Sequence, residues 1–189
     1  MTAGLAEDFN ELSTGVYKQQ MGVFRKNEQG NSGRLDWSIL QNSRISRYWQ
    51  ISILEEDLKW FEKENYRVVD FDCKTWEDSR VMHAQLKAKL TFPDYYGENL
   101  DAFGDCLLEL RINEKGLVLV FRHMDTINKQ TARVILDIVA DTSRRHMLFG
   151  DRMITLAQFD QQDYEVDSVG CTSVVWNGKE WSDHSRNNG

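Results

Sequence analysis

The chain has a single proline, Pro93, in 189 residues. It also has only three cysteines, Cys73, Cys106 and Cys171, which are far apart and form no C-x-x-C pair. The four histidines stand at no ligand spacing to them, so a disulfide framework and a structural zinc site both lack support. Basic charge is short as well: 23 Lys and Arg against 30 Asp and Glu leave a net charge of −7. Such a surface repels phosphates, which argues against direct nucleic-acid binding and for a basic protein partner. No apolar run reaches membrane-spanning length, so no membrane partner is expected. The opening MTAGLAEDFNELSTG lacks the basic residues and apolar stretch of a secretion signal, and a cytoplasmic location is expected.

The hydrophobic share of 41% is enough for a folded core in one domain, with room for an appendage. Residues 1–33 are polar and mixed, ending in the loop-like NEQGNSG. The stretch RLDWSILQNSRISRYWQ, residues 34–50, reads as two short strands around the turn QNSR. Next come a helix with Leu54, Leu58 and Phe61 on one face and the strand YRVVDFD. Thr75 is read as the cap of a second helix, with Asp78 as a capping-box acid and Met82, Leu86 and Leu90 as its inner stripe. That helix must stop before Pro93.

GLVLVF, residues 116–121, is almost wholly apolar and reads as a strand covered on both faces, as in a parallel sheet. A helix over 126–144 turns Ala132, Ile135, Ile138 and Val139 inward, and RMITLAQF supplies another strand. Alternating helix and strand predict an α/β fold with a small, mainly parallel sheet. In the tail, Asn177-Gly178 between two Trp-bearing segments is a hairpin signal. The expected organisation is an N-terminal extension with a β-hairpin over 1–50, an α/β domain over 51–158, and a C-terminal hairpin tail over 159–189. Trp37, Trp49, Trp176 and Trp181 fall in the flanks, where packing within hairpins is the default and a partner-contacting patch the alternative.

The chemistry gathers in TFPDYYGENLDAFGDCLLEL, residues 91–110, which carries five acids and no Lys or Arg. Gly97 permits a turn that other residues resist, and Asn99 suits the N-cap of the following helix. Leu100, Phe103 and Leu107 mark its core face, while Asp101 and Asp105, four apart, share an outer face despite their repulsion. Three readings stand at this point. One is a solvated acidic helix start. Another is a Mg²⁺ site of Glu98, Asp101 and Asp105 for phosphoester hydrolysis, with no nucleophile or base nearby at a diagnostic spacing. The third is an acidic epitope that docks on a basic partner. Cys106 sits among apolar and acidic neighbours that raise a thiol pKa, so it reads as packing and not as a nucleophile. His123 reads as a surface residue at a strand end.

PDYYGENLDAFGDCL, residues 93–107, resembles the signature of the barstar family of ribonuclease inhibitors. A weaker likeness runs over about 66–158. The resemblance implies a three-stranded parallel sheet flanked by helices, no enzymatic activity and no cofactor. It also implies binding to a basic ribonuclease through Tyr95, Gly97, Asn99, Asp101 and Asp105, with Tyr96 beside them. In that role Asp105 mimics a phosphate, Asp101 pairs with a neighbouring Arg, and Tyr95 packs on the catalytic histidine of the nuclease. A family acid on the next helix corresponds to Asp141 by hydrophobic pattern. The family's usual aromatic before the second aspartate is replaced here by Gly104. An immunity protein against a ribonuclease toxin is the expected role, with an acidic regulatory module as the alternative.

Overall fold

A computed structural model describes residues 33–113, 115–166, 168–169 and 173–180. The first 32 residues of the N-terminal extension, Cys171 and Trp181 lie outside the described residues. In chain order the elements are α1 (Leu35–Asn42), β1 (Ile45–Tyr48), α2 (Ile51–Lys63), β2 (Arg67–Asp72), α3 (Ser79–Leu90), α4 (Leu100–Glu109), β3 (Leu117–Arg122), α5 (Lys129–Leu148), β4 (Met153–Gln158) and β5 (Val175–Trp176). Short 3₁₀ turns, Cys73–Thr75 and Met124–Thr126, follow β2 and β3.

The sheet has five strands in the order β2-β3-β4-β1-β5, and every neighbouring pair is parallel. The α/β class and parallel sheet agree with expectation, while the strand number corrects it from three to five. The extra two strands come from the flanks, which were expected to form hairpins. Of the two strands expected over 34–50, the first is the helix α1: Ile39 and Leu40 turn inward while Ser38 and Asn42 face solvent. Asp36 anchors α1 from within, 1% exposed. Its carboxylate accepts from the guanidinium groups of Arg34 and Arg152, the Tyr66 hydroxyl and the Trp37 N–H. Burial pushes Asp36 up, yet the bonds from Arg34 and Tyr66 outweigh it and hold the carboxyl below its ordinary range.

At the other end, Val175 and Trp176 pair with Ser46 and Arg47 of β1 instead of folding back after Asn177. The Glu180 N–H donates to the Asn177 carbonyl, a helical turn where a hairpin arm was expected. The Asn177 side chain has another task. Its amide donates to Asp57 at 2.6 Å and to the Tyr48 hydroxyl at 2.9 Å, and Lys179 reaches the other Asp57 oxygen at 2.8 Å. Asp57 is 1% exposed, so these donors satisfy a carboxylate that water does not reach. Glu180 accepts from the N–H groups of Trp49 and Gln50 at the entrance to α2, where the helix dipole favours an anion.

Both faces of the sheet are covered, which explains the apolar run of β3. Leu117, Leu119 and Phe121 pack with residues of α3, α4 and α5, while Val118 and Val120 pack with those of α1 and α2. Met82, Leu86 and Leu90 line the inner stripe of α3 as expected. Its N-cap is Asp78, which accepts from the Val81 N–H at 2.8 Å. Thr75, expected to cap α3, belongs to the preceding 3₁₀ turn and donates to the Asp72 carbonyl.

Candidate functional site

The acidic stretch folds as a loop laid over the core and then α4. Phe92 is buried, with its ring centroid 5.0 Å from Tyr96 and 6.2 Å from Phe103. A turn follows in which the Tyr96 N–H donates to the Pro93 carbonyl. Successive side chains of the two tyrosines therefore part company. Tyr96 is 4% exposed and commits to the core, whereas Tyr95 is 73% exposed. Of the residues expected at the contact surface, Tyr96 is thus beneath it. Its hydroxyl lies 2.5 Å from His83 Nδ1 on α3, and His83 is itself buried. Burial holds the His83 imidazole below its ordinary pKa, with the Glu98 charge acting in the opposite sense.

Between α3 and α4 the left-handed residues are Thr91, φ 59°, and Glu98, φ 49°, and not Gly97 as the sequence implied. Gly97 has a different reason to be small. A Cβ there would stand 3.2 Å from the Asn99 side-chain nitrogen and 3.5 Å from the Ala102 Cβ. That space belongs to the Asn99 amide, which donates to the Gly97 carbonyl at 3.1 Å and accepts from the Ala102 N–H at 2.8 Å. Asn99 is the N-cap of α4, as its residue type predicts.

Along α4, Phe103 and Leu107 are fully buried and Cys106 nearly so, which leaves Asp101, Asp105 and Glu109 on the exposed face. Burial pushes the Cys106 thiol pKa up, and Glu109 and Asp105 add to it, so the packing reading of that cysteine stands. Among the described residues neither Asp101 nor Asp105 has a hydrogen-bond or ion-pair partner. Glu109 differs, because the Tyr95 hydroxyl donates to it at 2.9 Å across the outer face of the helix. That contact is a site feature the sequence reading missed. Its only signal was the repeated i, i+4 spacing of 101, 105 and 109.

Asp141, on α5, differs again. Arg144 donates to one of its oxygens at 2.8 Å and Arg145 to the other at 2.7 Å. The bond from Arg144, with Arg145 adding its charge, holds this carboxyl below its ordinary range. The structure does bring α4 and α5 together. Gly104, Asp105 and Leu108 of one and Ile138, Asp141 and Thr142 of the other line a common groove. It does not bring Glu98, Asp101 and Asp105 into a metal site. Among the described residues no group of three or more His, Cys, Asp or Glu side chains converges closely enough to hold an ion. His123 also stands as a strand-end residue, its Nδ1 2.7 Å from Asp160.

A sequence profile of the family described as Barstar (barnase inhibitor) matches residues 66–161, just over half of the chain. The chain belongs to the barstar family. A protein of Bacillus subtilis (strain 168) named "Putative ribonuclease inhibitor YrdF" is 54% identical over 41 residues. That match covers 22% of this chain and 45% of the Bacillus protein, so the chain spans less than half the length of this relative. The barstar profile takes in β2 through β4 with α3, α4 and α5, and therefore the whole acidic site. It leaves out α1, β1, α2 and β5, which in this barstar-family chain widen the sheet by two strands. No helix among the described residues is long and apolar enough to cross a membrane.

Proposed function

We propose that this protein inhibits a basic ribonuclease by laying the exposed face of α4 into the nuclease's phosphate-binding site. The observation that carries the reading is the pair Asp101 and Asp105: both exposed, and both without a partner among the described residues. Several other acids of the chain, such as Asp36, Glu64, Asp70, Asp141 and Asp160, are engaged by a cation. Two carboxylates one helical turn apart, about 5–6 Å between Cβ atoms, present repeated negative charge as an RNA backbone does. Membership of the barstar family supports the same partner class. No metal, cofactor or chemical step is needed; the protein acts by occupying the site.

Within this reading Asp105 is the principal phosphate mimic and Asp101 pairs with an adjoining basic side chain. Tyr95 supplies exposed aromatic surface beside them, while Gly97 and Asn99 hold the loop and the start of α4. The biological role we assign is that of a cytoplasmic immunity protein, guarding its cell against a cognate ribonuclease toxin. The test is a fluorogenic RNA cleavage assay in which barnase is titrated with the full chain. Stoichiometric inhibition at low salt is expected. Association should slow by at least about tenfold toward high salt, because screening shortens the reach of the acidic face. Inhibition that is absent, or that Asp105→Ala leaves unchanged, overturns the reading.

A further inference from the structure

β1 begins one residue after Arg44, and the backbone there is strained. Arg44 has φ 64°, in the left-handed region that a glycine enters freely and an arginine does not. Two hydrogen bonds pin it. Its N–H donates to the Ile39 carbonyl at 2.9 Å, and its carbonyl accepts from the Thr155 N–H at 3.0 Å. Arg44 is thus fixed beside the start of β4. The same strand start holds α5, because the Ser143 hydroxyl donates to the Met153 carbonyl, and Arg144 is the next residue along that helix.

Arg44 has no acid of its own. Its Nε–H is buried without a hydrogen-bond partner, and among the described residues its guanidinium makes no hydrogen bond or ion pair. Burial pulls its pKa down and the neighbouring Arg144 charge adds to this, while Asp141 acts in the opposite sense. Asp141 is already shared: Arg144 holds one oxygen at 2.8 Å and Arg145 the other at 2.7 Å. Arg145 borders the groove with α4, where Asp137 and Asp105 also stand. Arg144 turns to the opposite flank, toward Arg44. That flank carries two guanidiniums against one carboxylate whose oxygens are both engaged.

Cations held together partly out of water repel each other unless an anion joins them. Such an anion must serve two planar forks at once. Arg44 keeps every N–H donor of its guanidinium, and Arg144 keeps most of its own. A carboxylate offers two oxygens, whereas a phosphoryl group offers three and carries about two charges near pH 7. Phosphate oxygens also bond guanidinium forks in pairs. We propose that Arg44 and Arg144 form a binding site for a phosphate dianion, either the free ion or the end of a phosphomonoester. The Arg144 side chain is 52% exposed, so the site opens to solvent. It lies across α5 from the exposed face of α4 and does not depend on the inhibitor reading.

The test follows the arginine Nε–Hε signals of the full ¹⁵N-labelled chain by NMR while sodium phosphate is added. An ionic strength of about 0.15 M, held constant, screens the net charge of −7 beyond about 8 Å. The Arg44 and Arg144 signals should shift together and saturate with a dissociation constant on the order of 1 mM. Acetate should bind at least about tenfold more weakly. Arg44→Gly suits the left-handed backbone, so the amide spectrum should keep its native pattern. It should nevertheless raise the phosphate constant by about tenfold, read on Arg144, and Arg144→Gln should do the same, read on Arg44. Arg80→Gln, on α3, should change nothing. Methyl phosphate separates the two sources: affinity equal to that of phosphate admits monoesters, and lost affinity restricts the site to the free ion. No saturation by about 50 mM phosphate overturns the site, being far weaker than a millimolar ligand. So does a shift of equal size at Arg80, acetate bound as tightly as phosphate, or undiminished binding by a folded Arg44→Gly chain.

Discussion

Tyr95 spans the outer face of α4 to donate its hydroxyl to Glu109 at 2.9 Å, fourteen residues away in the chain. An exposed phenol that would otherwise sample several rotamers is thereby held at the last turn of α4. The bond to the carboxylate favours the protonated phenol, and the Glu109 charge adds to the effect, so the Tyr95 pKa is raised. Glu109→Ala should return it toward the ordinary tyrosine range. A spectrophotometric pH titration of the phenolate checks this, and an unchanged Tyr95 transition would show that the contact does not persist in solution.

Asp105→Ala should weaken ribonuclease binding by about 2 kcal/mol or more, on the scale of interface hot spots, a scale that the barnase–barstar complex itself helped to set. Asp141→Ala should cost about 1 kcal/mol or less, because Arg144 and Arg145 already neutralise that carboxylate. Calorimetry on the two variants decides. Equal losses would mean that the partner draws Asp141 away from its own arginines.

Removal of the segment from residue 173 onward should destabilise the fold by about 3–5 kcal/mol, the cost of breaking a buried charge pair. Asp57 would lose Asn177 and Lys179 and keep only the Tyr48 hydroxyl. Asn177→Ala alone should cost about 1–3 kcal/mol, since it leaves part of a buried carboxylate unsatisfied. Cutting to residues 51–160 goes further, because it also deletes β1 from between β4 and β5. Urea unfolding measures all three, and a cooperative transition of native size in the 51–160 fragment would contradict the ordering.

His83 makes stability depend on pH. Its folded pKa lies below its ordinary value of 6.5, so the unfolded chain takes up a proton that the folded chain refuses. Stability should therefore be full above about pH 6.5 and fall as pH drops from there to the folded-state pKa, levelling below it. The depressed carboxylates Asp36, Asp141 and Asp160 lose their contribution only below the ordinary aspartate range, so the two windows separate. His83→Gln should flatten the upper window while leaving the acid one. A slope unchanged by this substitution would assign the effect elsewhere.

Much of the central fold was legible because local signals and tertiary fate coincide there. The β3 run is apolar on consecutive positions because helices cover both faces of the sheet, and Asn99 caps α4 because its residue type suits that position. The flanks failed for the opposite reason. In residues 35–42 the apolar spacing fits a short strand as well as a helix, and what decides it is Asp36, whose partners Tyr66 and Arg152 lie 30 and 116 residues away. Asn177-Gly178 has the composition of a turn, yet the Asn177 amide is recruited by a buried carboxylate that no local pattern reveals. At the site, the doublet Tyr95-Tyr96 gave no hint of which ring is buried. What settles it is Phe92 and the buried His83, both packed against Tyr96.

The bond between Asn177 and Asp57 joins residues 120 positions apart. At about 5–20 residues per second, a ribosome needs some 6–24 s to make that stretch. Through that interval a nascent chain can assemble α2 and every helix of the acidic site, yet Asp57 still lacks its amide partner and β1 still has an open edge. The last described residues thus act as a closing stitch. Errors of synthesis or early release that remove only those few residues would leave the acidic face translated in full, but mounted on a sheet whose buried carboxylate keeps only the Tyr48 hydroxyl.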